Sequence, residues 1–116
     1  MPDDHPARQA AEAIVEEAGW TCVRPDSPER WRLAALLAVV MSFGTHEHGM
    51  DILRQYVVAA DQIGRADVGN LDAGQTPQGL LGEVVVGQVV FGEILLTLRR
   101  LAEEHYAVMR FGPPAQ

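Results

Sequence analysis

Residues 80–98, LLGEVVVGQVVFGEILLTL, limit what this chain can fold into more than any other stretch. Nineteen mostly apolar residues are enough to cross a bilayer. Glu83, Gln88 and Glu93 interrupt them, however. Two glutamates near the centre of a span cost several kcal/mol on insertion scales, and no positive flank precedes the segment. The segment is therefore expected to be buried in protein, with no membrane involved. Glycine recurs at 82, 87 and 92. A five-residue step turns about 140° around a helix, so these glycines share no helical face. The spacing does not match a strand's period of two either. Valine and glycine are poor helix formers. The stripe Leu81, Val84, Gln88, Phe91, Leu95, Leu98 nevertheless runs on into a regular amphipathic segment. There Leu95, Leu98, Leu101, Ala102 and Met109 lie opposite Arg99, Arg100, Glu103 and Glu104. This continuity predicts a helix over 77–110. The alternative is a strand near 83–91 in an α+β fold.

Three further helices are expected. Pro6 suits a first helical position with Asp4 or His5 before it, and Gly19 can take a left-handed cap, giving 6–18. Its apolar face is Ala10, Ile14 and Ala18, flanked by Ala7, Ala11 and Val15. Residues 20–26 read as an extended connector, because Pro25 disfavours helix at Arg24. Ser27, Pro28 and Glu29 then form a start signal for 28–42, with Ser27 placed to cap. That helix is apolar on nearly every side from Leu33 to Met41, the pattern of a buried helix, and Phe43-Gly44 stops it. Thr45 opens 46–63, with a stripe of Ile52, Tyr56, Ala59 and Ile63 beside Leu53, Val57 and Ala60. Residues 64–76 read as a Gly- and Asp-rich loop. It resembles an ankyrin turn in composition, but the Asp72-to-Gly74 spacing is one short and no repeat flanks it. Thr76-Pro77 restarts a helix.

The expectation is a mostly α single domain over 1–116, an up-down type bundle of about four helices with flexible termini at 1–5 and 111–116. Two helices that are apolar almost all round are hard to cover in one short chain. A second copy would supply the cover, so a homodimer is expected, with Phe91, Leu95 and Leu98 at its interface.

Composition narrows the function classes. The formal charge is −7, and all nine basic residues are arginine. Nucleic-acid affinity rests on phosphate neutralisation, so an acidic chain with no basic block is a poor nucleic-acid binder. It suits a basic protein partner better. The lone Cys22 allows no intrachain disulfide and no cysteine zinc cluster. The N-terminus MPDDHPAR lacks the apolar run of a signal peptide, and a cytoplasmic location is expected.

The densest cluster of chemically able residues is THEHGMD, 45–51. His46 and His48 point about 200° apart on a helix, unlike the four-residue spacing of a helical metal chelate. The helical pairings that survive are Glu47 with Asp51 and His48 with Asp51. Glu47, His48 and Asp51 are thus the metal candidates, and His48 and Asp51 acid–base candidates. The competing reading is a helix start: Thr45 as cap, with Glu47 in the favourable first turn. Glu83 and Glu93 are candidates for buried carboxylates, with Arg30, Arg32 or Arg54 as partners and His105 as a third group for an acid–base or metal site. No cofactor is expected.

Residues 99–106, RRLAEEHY, place an arginine five or six residues before a histidine. This resembles the motif of HEPN-type helical ribonucleases, which cleave RNA at a dimer interface. The resemblance implies Arg100 (or Arg99) and His105 as catalytic residues. It covers eight residues, and the polar residue that usually follows the family's arginine is absent. The same residues also read as surface ion pairs, Arg99–Glu103 and Arg100–Glu104. The leading expectation is a non-catalytic protein-interaction module: an adaptor, regulator or toxin-neutralising partner. The alternative is a small helical enzyme or ligand binder using His46, His48, Asp51, Glu83, Glu93 or His105.

Overall fold

The computed structural model describes residues 1–44, 46–71 and 74–114, with 46–48 described by their backbone alone. The protein is mostly α. It has four helices and, among the described residues, no strand: α1 (Pro6–Glu17), α2 (Pro28–Ser42), α3 (His46–Gly69) and α4 (Pro77–Phe111). The chain divides into two compact units, residues 1–66 and 67–116, and α3 runs across the division.

Local signals account for most helix ends. His5 caps α1, its Nδ1 accepting from the Ala7 N–H at 3.1 Å. At the other end Gly19 takes φ +77°, and the Trp20 N–H reaches back to the Val15 carbonyl, closing the helix with a left-handed glycine. Gly44 does the same after α2 at φ +71°. Thr76 caps α4, its hydroxyl accepting from the Gly79 N–H at 3.1 Å. Ser27 holds the cap position of α2, but its side chain makes no capping bond. The 20–26 connector is not extended. It folds into two turns closed by Val23 N–H to Trp20 and Ser27 N–H to Arg24, because Arg30 donates to the carbonyls of Val23 and Arg24 and gathers the segment around its guanidinium.

In the first unit Ala7, Ala11 and Ile14 of α1 pack on Ala34 and Leu37 of α2. Three of these five are alanine, which lets the two backbones approach closely. From α3 it is Leu53 and Val57 that cover the core, while Ile52 and Tyr56 of the expected stripe stay exposed. The Trp20 indole donates to Asp61 at 2.9 Å and ties α1's end to one side of α3. That bond favours the flank carrying Leu53 and Val57. Gly49 serves the same packing: a Cβ there would lie 3.2 Å from Val40 Cγ1.

The expected loop 64–76 is shorter, because α3 continues to Gly69. An isolated glycine costs a helix only about 1 kcal/mol, and Arg65 pairs back to Asp61 at 2.9 Å across that turn. Residues 83–91 are helix, not strand. Pro77–Val85 is α-helical, Val86–Phe91 widens into a π-helical stretch, and Gly92–Phe111 is α-helical again. Weak α propensity in this valine- and glycine-rich stretch leaves the backbone free to widen, while the Thr76 cap and the amphipathic end keep it helical. A wider turn holds an extra residue, so the stripe expected of a straight α-helix is offset beyond Phe91.

Burial departs most from expectation. In α2 only Ala34 and Leu37 are buried, and Leu36, Val39, Val40 and Phe43 are exposed. In α4 no residue is buried. Within its own unit the stretch 80–98 is therefore left uncovered. Among the described residues, nothing lies within 4 Å of where a Cβ would sit on Gly82, Gly87 or Gly92, so no neighbouring helix of the second unit packs closely on these glycines.

Candidate functional site

The residues singled out for chemistry do not converge. The side chains of His46, Glu47 and His48, and the whole of Thr45, lie outside the described residues, as do the pairings of Glu47 and His48 with Asp51. Asp51 itself is exposed and accepts from Arg54 Nη1 at 2.8 Å. Glu83 is half-buried and accepts from the Gln75 amide. Glu93 is exposed. Neither is a buried carboxylate, and two arginines expected to serve them are engaged elsewhere: Arg30 with Glu12, Arg54 with Asp51. His105 is exposed, edge-on to Tyr106 at 4.8 Å between ring centres. Arg100 and His105 sit five apart on one continuous helix, about 140° around its axis, so they do not face a common point on one chain. Among the described residues, no three His, Cys, Asp or Glu side chains group to hold a metal.

A polar cluster that spacing alone did not single out joins α1 to α2. Arg8 is 8% exposed, with its guanidinium 3.7 Å over the Trp31 ring and 3.0 Å from Glu12. Glu12 also takes Arg30, which in turn holds the connector carbonyls. The i,i+4 spacing of Arg8 and Glu12 was the one visible signal. Trp31's contribution crosses between helices and carries no local mark. This cluster is structural: each charge meets an opposite charge, a ring or a carbonyl.

Among the clefts formed by the described residues, two have a mostly apolar lining from facing helices. One, of about 440 Å³, lies between α1 and α3 over Ala10, Ile14, Met50, Leu53 and Val57, with Arg54 and Asp61 at its rim. Asp61 is held below the ordinary carboxylate value of 3.8, first by the Trp20 indole N–H and then by Arg65. The other, of about 740 Å³, is an open groove in the second unit between Val68 and Leu71 and the Gly82–Phe91 side of α4.

Exposed apolar side chains are most numerous on α4 among the described residues. Phe91, Leu95 and Leu98 are 56%, 44% and 56% exposed. Leu81, Val85, Val89, Leu101 and Met109 are all more than half exposed. By length and composition alone, Pro77–Phe111 is long and apolar enough to cross a membrane. No family model, curated protein or solved structure matches the chain.

Proposed function

We propose that this chain is a small acidic helical protein-interaction module that assembles with itself, and that it acts as an adaptor, regulator or neutralising partner rather than as a catalyst. The observation that carries the reading is the uncovered apolar surface of α4, and the exposed side chains Leu36, Val39, Val40 and Phe43 in the first unit add separate support. Exposed leucines and phenylalanine at this density are stabilised by about 25 cal/mol per Å² when covered. The formal charge of −7 suits a basic protein as the further partner and a cytoplasmic setting. A membrane is the weaker occupant for α4, because Glu83 and Glu93 stand inside its apolar run.

The test is the native mass of the purified protein in detergent-free buffer, together with Leu95→Arg. The expected result is a species of about twice 12.7 kDa that Leu95→Arg converts to monomer with helicity retained. A monomeric wild-type chain would remove this reading. A second reading is small-molecule binding in the α1–α3 cleft, favoured by its volume and its apolar floor with two charged groups at the rim. It predicts a retained ligand mass in the same spectrum, lost in Leu53→Arg.

A further inference from the structure

The groove of about 740 Å³ in the second unit is lined, among the described residues, by two carboxylates and by no basic side chain. The carboxylates are Asp67 and Glu83. The imbalance is present in the sequence around them: residues 66–98 hold four acidic residues and no arginine, lysine or histidine. Val68, Leu71, Val84, Val86 and Phe91 make the rest of the groove chiefly apolar. Glu83 is half-buried and accepts from the Gln75 amide, a neutral donor that orients the carboxylate. Gly82 and Gly87 also line the groove, and no described atom lies within 4 Å of a Cβ position on either. A bound group can therefore approach the helix backbone closely there.

We infer that this groove binds a small hydrophobic organic cation, an aromatic or aliphatic body that carries an ammonium or phosphonium charge. The sign of the lining selects the occupant. An anion would be set against both carboxylates. A neutral apolar body would take water from them and give no polar contact in return. A divalent metal has too few protein ligands, because no three His, Cys, Asp or Glu side chains group together among the described residues. An organic cation meets both carboxylates with the opposite charge, and Phe91 adds an aromatic ring of the kind that attracts such a cation. The apolar walls take its body. The volume lies in the range of small-molecule sites, roughly 300–1,000 Å³. Asp67, Glu83, Gly82 and Gly87 stand outside the contact proposed between copies, so the site can be emptied without touching that contact.

The test uses tetraphenylphosphonium and tetraphenylborate, which have nearly the same shape and opposite charge. Each is titrated into the full chain by calorimetry, and native mass gives the number bound. The expected result is a single tetraphenylphosphonium per chain, held about a hundredfold more tightly than tetraphenylborate. Glu83→Gln and Asp67→Asn should each weaken it about tenfold. Gly87→Leu meets no described atom at its Cβ, favours helix, and should block the groove. Glu104→Gln removes the same charge about 20 Å along α4 from Phe91 and should change nothing. Circular dichroism and native mass confirm that each variant keeps its helix and its assembly. Equal binding of the two ions would show apolar adsorption alone. Equal losses in Glu104→Gln and Glu83→Gln would show attraction by net charge alone. No tetraphenylphosphonium bound at about 1 mM would show that the groove has no affinity for such a cation. Each of these three results overturns the site and leaves self-association standing.

Discussion

The Arg8–Glu12–Arg30 cluster predicts an asymmetry between two substitutions that remove opposite ends of one ion pair. Arg8 is buried, lies on Trp31, and its Nη1 finds no hydrogen-bond partner among the described side chains. Arg8→Met keeps most of the stem against the Trp31 ring and removes the buried charge. It gives up a cation–π contact worth about 1 kcal/mol and one side of the pair, and it also removes the desolvation cost of the guanidinium. Glu12 keeps Arg30, so no charge is stranded. The expected change is within about 1 kcal/mol of zero. Glu12→Ala does the reverse. It leaves the Arg8 guanidinium buried without a carboxylate and frees Arg30 from α1. Stranding a buried charge costs about 3–5 kcal/mol, and Glu12's 38% exposed side chain brings the expected loss down to about 2 kcal/mol. Both tryptophans, Trp20 and Trp31, belong to the first unit. Urea unfolding followed by tryptophan fluorescence therefore reports on this unit directly. Equal losses for the two variants, or a larger loss for Arg8→Met, would refute the account of a charge buried at net cost.

Two further outcomes follow from the same unit. Leu37→Ala removes the largest α2 side chain in the core, 4% exposed, and should cost about 2–4 kcal/mol in the same fluorescence assay; a loss under about 1 kcal/mol would mean the core collapses onto the space. Asp61's folded pKa is depressed by the Trp20 N–H and Arg65, so its contribution is fully present above about pH 4 and is lost as pH falls below 3.8 through the lower folded value. Asp61→Asn should remove that acid-dependent part from the pH–stability curve, and an unchanged curve below pH 4 would show that the Trp20–Asp61 bond does not anchor α3 to the end of α1.

Where helices begin was legible in the residues, because the signals there are local. Pro6 after His5, Pro28 after Ser27, and Thr76 before Pro77 act through backbone geometry within three or four residues. Gly19 and Gly44 close helices for the same kind of reason. The number and class of elements followed from that punctuation and from apolar periodicity.

What tertiary structure decided lies beyond that range. Gly64 and Gly69 stay helical because the cost of a glycine in a helix is small beside what the turn around Asp61 and Arg65 retains. Leu53 and Val57, rather than Ile52 and Tyr56, face the core because Trp20 reaches Asp61, forty-one residues away. Arg8 is buried because Trp31 and Glu12 surround it from two helices. An apolar run says only that a helix must be covered. Whether its own chain covers it depends on how many faces the other helices have to offer. In the first unit α1, α2 and α3 pack around Ala7, Ala11, Ile14, Ala34 and Leu37, and in the second unit α4 has no buried residue.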